Sequence, residues 1–360
     1  MPRLPDPRTP PSPSTDHPWQ ARIDGLADSI RDGDPSRAVT ALSRLMRRAF
    51  ADGEGHLVAG ALARLSAPTA SHVLRAADLA IVGGEGGEDD ALLARVFLMP
   101  VLIVTAGLTP ATVAGVVPDV GEIRDLMHKA GALGAVEQVG LGNALGSPVE
   151  AWAVPPDRLY RVVHDLGSAE RDDLLPPADL AVDSADERVH MRLLAGVSLT
   201  PAHAPTIFET AGPVGRWGMA VSQALARQLG VEGLSLLPLP RAPMPWYAAL
   251  VEAAFAREEI AFNLFVTGTL RRIRAEVGEP TVIAAAHADG TIRVTMSSPF
   301  DARLTFTHAW PLSPVDSLAR VETTIADLLS ECRVADVRWE SALLPAESMA
   351  MPVGTHGGLN

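Results

Sequence analysis

Apolar and polar positions follow a helical period at the start of the chain and then give way to short continuous apolar runs, and that change organises the sequence. Over 19–31, Trp19, Ile23, Leu26, Ala27 and Ile30 recur near helical spacing, which predicts an amphipathic helix. Asp34-Pro35 has the form of a helix start, an acidic cap followed by proline at the first helical position. Val39, Leu42, Leu45, Met46 and Phe50 then carry one apolar side over 36–51. Two shorter helices are expected over 54–65 and 68–81, so that 19–82 forms a small helical domain. Residues 83–90, two glycine pairs interleaved with acids, neither bury surface nor hold a helix; they predict a flexible linker.

Beyond the linker a unit recurs. The apolar strand expected over 96–106 leads into Leu108-Thr109-Pro110-Ala111, and the one over 191–198 into Leu199-Thr200-Pro201-Ala202. Each is followed by a loop, a helix (120–133 and 214–229), a Leu-Gly pair suited to a left-handed helix end, and a short strand. Each copy then reaches a proline and a tryptophan, Pro148 and Trp152 in the first, Pro245 and Trp246 in the second. A looser third copy runs through a strand at 305–312, a helix at 315–329 and a strand at 334–339. The copies span 91–152, 190–246 and 304–345 of an α/β domain covering 91–345. A helix-length crossover between two strands predicts parallel neighbours in one sheet. Between the second and third copies, 247–273 is a long helix; 281–286 and 292–297 are strands joined by a turn at Ala288-Asp289-Gly290, an antiparallel piece that makes the sheet mixed. The expected class is therefore α/β, with α+β as its neighbour: a helical bundle plus a mixed sheet built from strand–helix–strand units.

Composition narrows the function classes. The 47% hydrophobic content supports a large core, and the longest apolar run is too short for a membrane helix of about 20 residues. Residues 1–18 are rich in proline and lack an apolar segment of the kind found in signal peptides, so they are expected to be a disordered, extended tail; 346–360 are expected to be flexible as well. A single cysteine, Cys332, forms no intrachain disulfide, and the chain reads as a soluble cytoplasmic protein. The formal net charge is -13, with 30 Lys+Arg against 43 Asp+Glu, and Lys129 is the only lysine. A field of that sign repels phosphate backbones and anionic lipid.

The C-terminal third resembles a family of uncharacterised bacterial proteins known only as a domain of unknown function. The resemblance rests on His308-Ala309-Trp310-Pro311-Leu312, the helix after it, Val334-Ala335-Asp336-Val337 and Leu343-Leu344-Pro345, with Phe97 to Val104 as a central strand. It covers about half the chain. Relatives end in a paired-cysteine segment that 351–360 lacks, so no metal role transfers, and the resemblance implies a fold but no activity.

Residues with chemical potential are few. Gly140, Gly142 and Gly146 follow a strand like a relaxed dinucleotide fingerprint, with Asp165 at the distance of a ribose-binding acid, but Pro148 stands where a phosphate-binding helix would run; a plain loop is the competing reading. The ten histidines show no metal-ligand spacing, and no cofactor or metal is called. His203, His287 and His308 fall at ends of expected strands. Cys332 lies between Glu331 and Arg333, which act oppositely on a thiolate, and neither a nucleophile elbow nor a P-loop occurs; no catalytic residue is assigned. Arg271, Arg272 and Arg274 form the densest basic cluster, followed by Arg44, Arg47 and Arg48.

Two function classes stand, and a third behind them. The first is a non-enzymatic protein working by protein–protein contact or as a homo-oligomer, with Trp152, Trp246 and the Arg271–Arg274 cluster as interaction candidates. The second is an enzyme or sensor binding a small anionic ligand in a cleft between the first two copies, lined by Thr109, Thr200 and His203. The third is nucleic-acid binding, which requires the arginines to stand on a face cleared of acids. An exposed tryptophan beside a filled sheet end favours the first class; a pocket at those threonines favours the second.

Overall fold

The structure, a computed structural model, describes residues 18–32, 35–56, 67–82, 92–105, 111–130, 132, 138–164, 174–182, 188–201, 214–230, 234–236, 243–276, 279–313, 315–334 and 337–340. The expected tails, the Gly/acidic linker, most of the helix expected over 54–65, the Leu133-Gly134 helix end, Thr109, Asp165 and His203 lie outside these residues.

Helices α1 (Pro18–Asp32), α2 (Pro35–Ala51) and α3 (Ala67–Ile81) come first, as their periodicity predicts. They do not form a core of their own. Ile23, Leu42, Phe50 and Ile81 share one continuous core with Leu98 and Leu102 of strand β1 (Leu92–Thr105) and Leu193 and Val197 of strand β5 (Arg188–Pro201). The expected helical domain is thus a layer on the sheet. Its apolar side has one large partner to bury against, and the sheet supplies it.

Between β1 and β5 lie β2 (Ala111–Val113), α4 (Val120–Lys129), β3 (Gln138–Gly146), α5 (Pro148–Ala153), α6 (Pro156–His164) and β4 (Leu180–Val182). After β5 come α7 (Val214–Leu229), β6 (Leu234–Leu236) and β7 (Met244–Pro245). The central sheet has the order β3-β5-β1-β6, with β7 also on β1, and every pairing in it is antiparallel. This corrects the expectation of parallel neighbours. Neither crossover helix returns its chain to the strand it left: β3 adds to β5, and β6 adds to β1. Strands β1 and β5 pair along their whole length, Leu92 opposite Pro201 and Thr105 opposite Arg188. Both are apolar on both faces, so each is best covered as a central strand between two helical layers. One layer holds α1 to α3, α5, α6 and the first half of a long helix; the other holds α4 and α7, with Ile123, Met127, Trp217 and Leu225 packed on Phe97, Met99, Val101 and Ile103. Helix α7 ends as expected at Gly230, in the left-handed region at φ 63°, its N–H donating to Ala226 O at 3.2 Å.

The long helix, α8 (Trp246–Glu276), has 31 residues and runs about 46 Å at the usual helical rise. Its start belongs to the central core through Trp246 and Leu250; its end belongs to a second core through Phe262, Val266 and Ile273. That second core covers one face of a four-stranded sheet, order β10-β9-β8-β11, made of β8 (Thr281–Ala286), β9 (Thr291–Ser297), β10 (Thr305–Pro311) and β11 (Val337–Glu340). Helix α9 (Leu318–Glu331) shares the covering. The β8–β9 hairpin turns at Asp289-Gly290 as expected, with Gly290 at φ 75°, and β11 joins β8 in parallel, so this sheet is mixed. The third copy therefore sits in a separate sheet from the first two. Glu252 of α8 accepts both terminal nitrogens of Arg320 (3.0 and 2.9 Å), whose guanidinium lies 3.8 Å over the Phe255 ring, which fastens α9 to α8.

Candidate interaction surface

Helix α5 is six residues long, yet its ends are fixed. Ser147 caps it: Glu150 N–H donates to Ser147 Oγ (3.2 Å) and Ser147 N–H donates to Glu150 Oε2 (2.9 Å), with Pro148 at the first helical position. This reciprocal cap sets which side chains face inward. Ala151 and Val154 are buried, whereas Val149 is 76% and Trp152 43% exposed. Three residues apart, these two are neighbours on the outer side of the helix. The inner part of the Trp152 ring leans on Tyr247, with centroids 5.9 Å apart and planes tilted 40°.

Tyr247 belongs to the start of α8, and that start is held by a residue far away in sequence. The backbone N–H groups of Tyr247 and Ala248 donate to the two carboxylate oxygens of Asp78 in α3, at 2.9 and 3.0 Å. Asp78 thus supplies the cap that α8 lacks locally. Burial pushes its carboxyl up to about 7, although both N–H groups favour its charge. Burial also raises the Tyr247 phenol, helped by the charges of Asp78 and Asp157, so the ring stays neutral. Trp246 donates from Nε1 to Ala151 O at 3.2 Å and is 1% exposed. Helices α3, α5 and α8 are therefore pinned together beneath the Val149–Trp152 pair. The two proline-flanked tryptophans divide the work: Trp246 anchors, Trp152 is displayed. Nothing in the sequence marks Asp78, because its partners lie in another element and an aspartate inside a helix reads as a surface residue.

The other sequence candidates scatter. Gly140, Gly142 and Gly146 lie within strand β3, paired to β5 through Gln138–Leu199 and Leu145–Leu194. This corrects both the loop and the fingerprint geometry. Between Leu141 and Leu145 the register shifts, and the gap is filled by Val117 N–H donating to Asn143 O (2.7 Å) and Leu145 N–H donating to Gly115 O (2.8 Å). The Leu145 N–H and the Asn143 carbonyl are taken up by this pairing. A Cβ on Gly140 would meet no atom within 4 Å, so no close approach requires glycine there.

Of the expected ligand cleft, Thr109 and His203 lie outside the described residues and Thr200 alone has a described position. Because β1 and β5 are antiparallel, the ends from which the Thr109 and His203 segments depart point in opposite directions. Thr105 stands opposite Arg188 and Thr200 opposite Leu93, about 40 Å apart along the extended strand pair. Thr200 itself is fully buried. One concavity among the described residues is a shallow cleft of about 430 Å³ on α4, lined in part by Asp119, Glu122, Asp125 and Lys129. Its acids are already engaged: Asp119 caps α4 through Glu122 N–H, and Glu122 receives Arg227 and Gln228 of α7. Those acidic walls disfavour an anion.

The arginine cluster is divided among separate tasks. Arg274 pairs with Glu279 at 2.8 Å, Arg272 lies 5.6 Å over the Phe306 ring, and Arg271 is exposed. His308 is wedged between Phe262 and Phe265, with centroids at 5.5 and 5.3 Å, and burial drives its pKa down to about 4. Cys332 ends α9, half-buried, its carbonyl accepting from Arg274 at 3.4 Å. Among the described residues no three His, Cys, Asp or Glu side chains converge as metal ligands, and no helix is long and apolar enough to cross a membrane. Comparison of the chain with family models, with curated proteins and with solved structures finds no match.

Proposed function

We propose that this protein works by protein–protein contact rather than by chemistry, and that it receives its partner on the α5 surface. The observation that carries this reading is the displayed pair Val149 and Trp152 on a helix whose orientation is fixed by a capping box, a ring contact and the Asp78 cap. Exposed tryptophan held in one rotamer contributes contact area at low entropic cost, which is how interface anchors work. The partner we expect presents apolar side chains flanked by basic ones, since the net charge of -13 attracts that chemistry.

The central sheet suits a rigid support. The residue offset that places Leu108-Thr109-Pro110-Ala111 on Leu199-Thr200-Pro201-Ala202 also places the pair Leu145–Leu194 on the pair Leu236–Ile103. This supports a duplicated unit whose copies exchange strands about a local two-fold axis, with every central strand covered on both faces.

The test is a photocrosslinking residue in place of Val149, introduced in the native host. The expected result is one discrete protein adduct that disappears when Trp152→Ser is added and weakens as salt is raised. An adduct unchanged by Trp152→Ser, or none at all from a folded chain, would overturn the reading.

A further inference from the structure

Strand β10 is the edge of the C-terminal sheet, and among the described residues it pairs with β9 alone. Two hydrogen bonds bracketing the ladder fix its phase: Ser298 N–H donates to Leu304 O (3.0 Å) and Leu312 N–H donates to Gly290 O (2.8 Å). Antiparallel pairs alternate between bonded and non-bonded, so Phe306, His308 and Trp310 bond to β9. Thr305, Thr307, Ala309 and Pro311 then turn their backbone groups away from β9, toward the free edge. The contact of Thr295 Oγ1 with Thr307 Oγ1 at 2.9 Å agrees, since side chains approach closest at non-bonded pairs. The free edge thus offers the N–H groups of Thr305, Thr307 and Ala309, together with their carbonyls.

Edges of natural sheets are usually blunted by charge, proline, a bulge, brevity or cover. Among the described residues the other edges of the two larger sheets are blunted, and on one side of the central sheet β6 has three residues and β7 two. Strand β3 bulges and is capped by Gly115–Val117; β11 has four residues, among them Arg338 and Glu340. Strand β10 has seven residues, no charge and no bulge, its one blunting residue is Pro311 at its end, and Thr305, Thr307, Ala309 and Pro311 are exposed. Phe306 and Phe265 lie half-buried along its inner side, and Phe300, in the hairpin before it, is 77% exposed.

We infer that β10 pairs with β10 of a second copy of this chain, antiparallel, about a two-fold axis at Thr307, making one continuous eight-stranded sheet. The register follows from the donors. Pro311 has no N–H, so a pairing centred on Ala309 would set Thr307 against a residue that cannot donate, and one centred on Thr305 would run into the hairpin at Arg303. Centred on Thr307, the pairing sets Thr305 opposite Ala309 and Thr307 opposite itself, and every outward N–H meets a carbonyl. It also extends the hydroxyl row begun by Thr295 and Thr307 across the axis, and over 305–309 it sets no like charges directly opposite one another. An isologous contact of this kind closes after two copies. It does not depend on the α5 reading, since the two surfaces lie on different sheets.

The test uses the full chain with Cys332→Ser as background. Light scattering is expected to show a dimer, and Thr307→Lys, which sets like charges face to face at the axis, is expected to raise its dissociation constant by about tenfold or more with the melting temperature of the monomer unchanged. Thr307→Cys is expected to form a reducible covalent dimer under mild oxidation, since facing residues of a bonded antiparallel pair lie about 5.5 Å apart, within disulfide reach. Thr305→Cys alone is expected not to bridge, whereas Thr305→Cys with Ala309→Cys does. A monomer at high concentration, or a dimer indifferent to Thr307→Lys and bridged equally by Thr305→Cys and Thr307→Cys, would overturn the inference; so would a monomer whose edge is held by an extended segment of another protein.

Discussion

The two sheets of this protein solve the same burial problem differently. The central sheet is apolar on both faces along β1 and β5 and is covered by helices on both sides. The C-terminal sheet alternates. Val282, Ala284, Ile292, Val294, Met296 and Trp310 face α8 and α9, while Thr281, Thr295, Thr305 and Thr307 face outward. A doubly covered sheet leaves no free face for recognition, so exposed apolar residues over it sit on the covering helices, Leu79 on α3, Met219 on α7 and the adjacent pair Val149 and Trp152 on α5. A singly covered sheet leaves an open face and an edge. The difference teaches what each half exposes: a displayed side-chain pair in one, the backbone groups of an edge strand in the other.

Three tryptophans test the layering most severely. Trp217 and Trp246 fill opposite faces of the central sheet, and Trp310 fills the covered face of the other. Each changed to alanine is expected to cost about 3–5 kcal/mol in denaturant unfolding, whereas the exposed Trp152→Ala should cost under about 1.5 kcal/mol. A small loss at Trp217 would mean that the α4–α7 layer is loosely laid and that the comparison between the sheets fails.

Next in size is Gly196→Ala. Gly196 faces Phe97 across the central strand pair, and a Cβ there would stand 2.3 Å from the ring edge. We expect a loss of about 1–3 kcal/mol from overpacking, read as a lowered denaturant midpoint. Thr307→Ala, on the open face of the other sheet, is its counterpart and should change monomer stability by less than about 0.5 kcal/mol.

The ends of α8 make a finer contrast because its two halves respond oppositely to pH. Asp78 at its start has a pKa raised to about 7 from 3.8, so the folded state holds the proton more tightly, and its contribution to stability falls as pH rises between those values. His308 against its second half has a pKa lowered to about 4 from 6.5, so the unfolded state takes the proton first, and its contribution rises with pH over that window. Asp78→Asn should remove the falling slope and His308→Leu the rising one in melting temperature measured from pH 4 to 7. The reverse assignment would show that burial does not govern these groups. At neutral pH, Asp78→Ala is expected to cost about 1–2 kcal/mol through loss of the cap on α8.

Much of this was legible in the residues. The helices starting at Pro35 and Val214, the strands at 281–286 and 291–297 and the turn at Asp289-Gly290 follow from periodicity and turn chemistry within one or two residues of where they stand, and the long helix expected over 247–273 runs three residues further, to Glu276. Strand β3 was hidden because glycine-rich stretches read as loops; here pairing to β5 and the cover of Gly115–Val117 outweigh local preference. Of the candidate surface, Trp152 was visible as a residue beside a proline, but so was Trp246, and only the Ala151 carbonyl that takes the Trp246 indole N–H separates anchor from display.

By itself the sequence determined the class of the fold, the identity of most elements and the net charge that sets which partners are repelled, because these depend on period, turn residues and composition, all local or additive quantities. Only the tertiary structure decided which strands are neighbours, which of Trp152 and Trp246 faces solvent, that Asp78 caps α8 and that β10, among the described residues, pairs on one side alone. Each of those is a choice between partners distant in the chain, and hydrophobic burial, being non-directional, favours an interior without naming the neighbour that completes it.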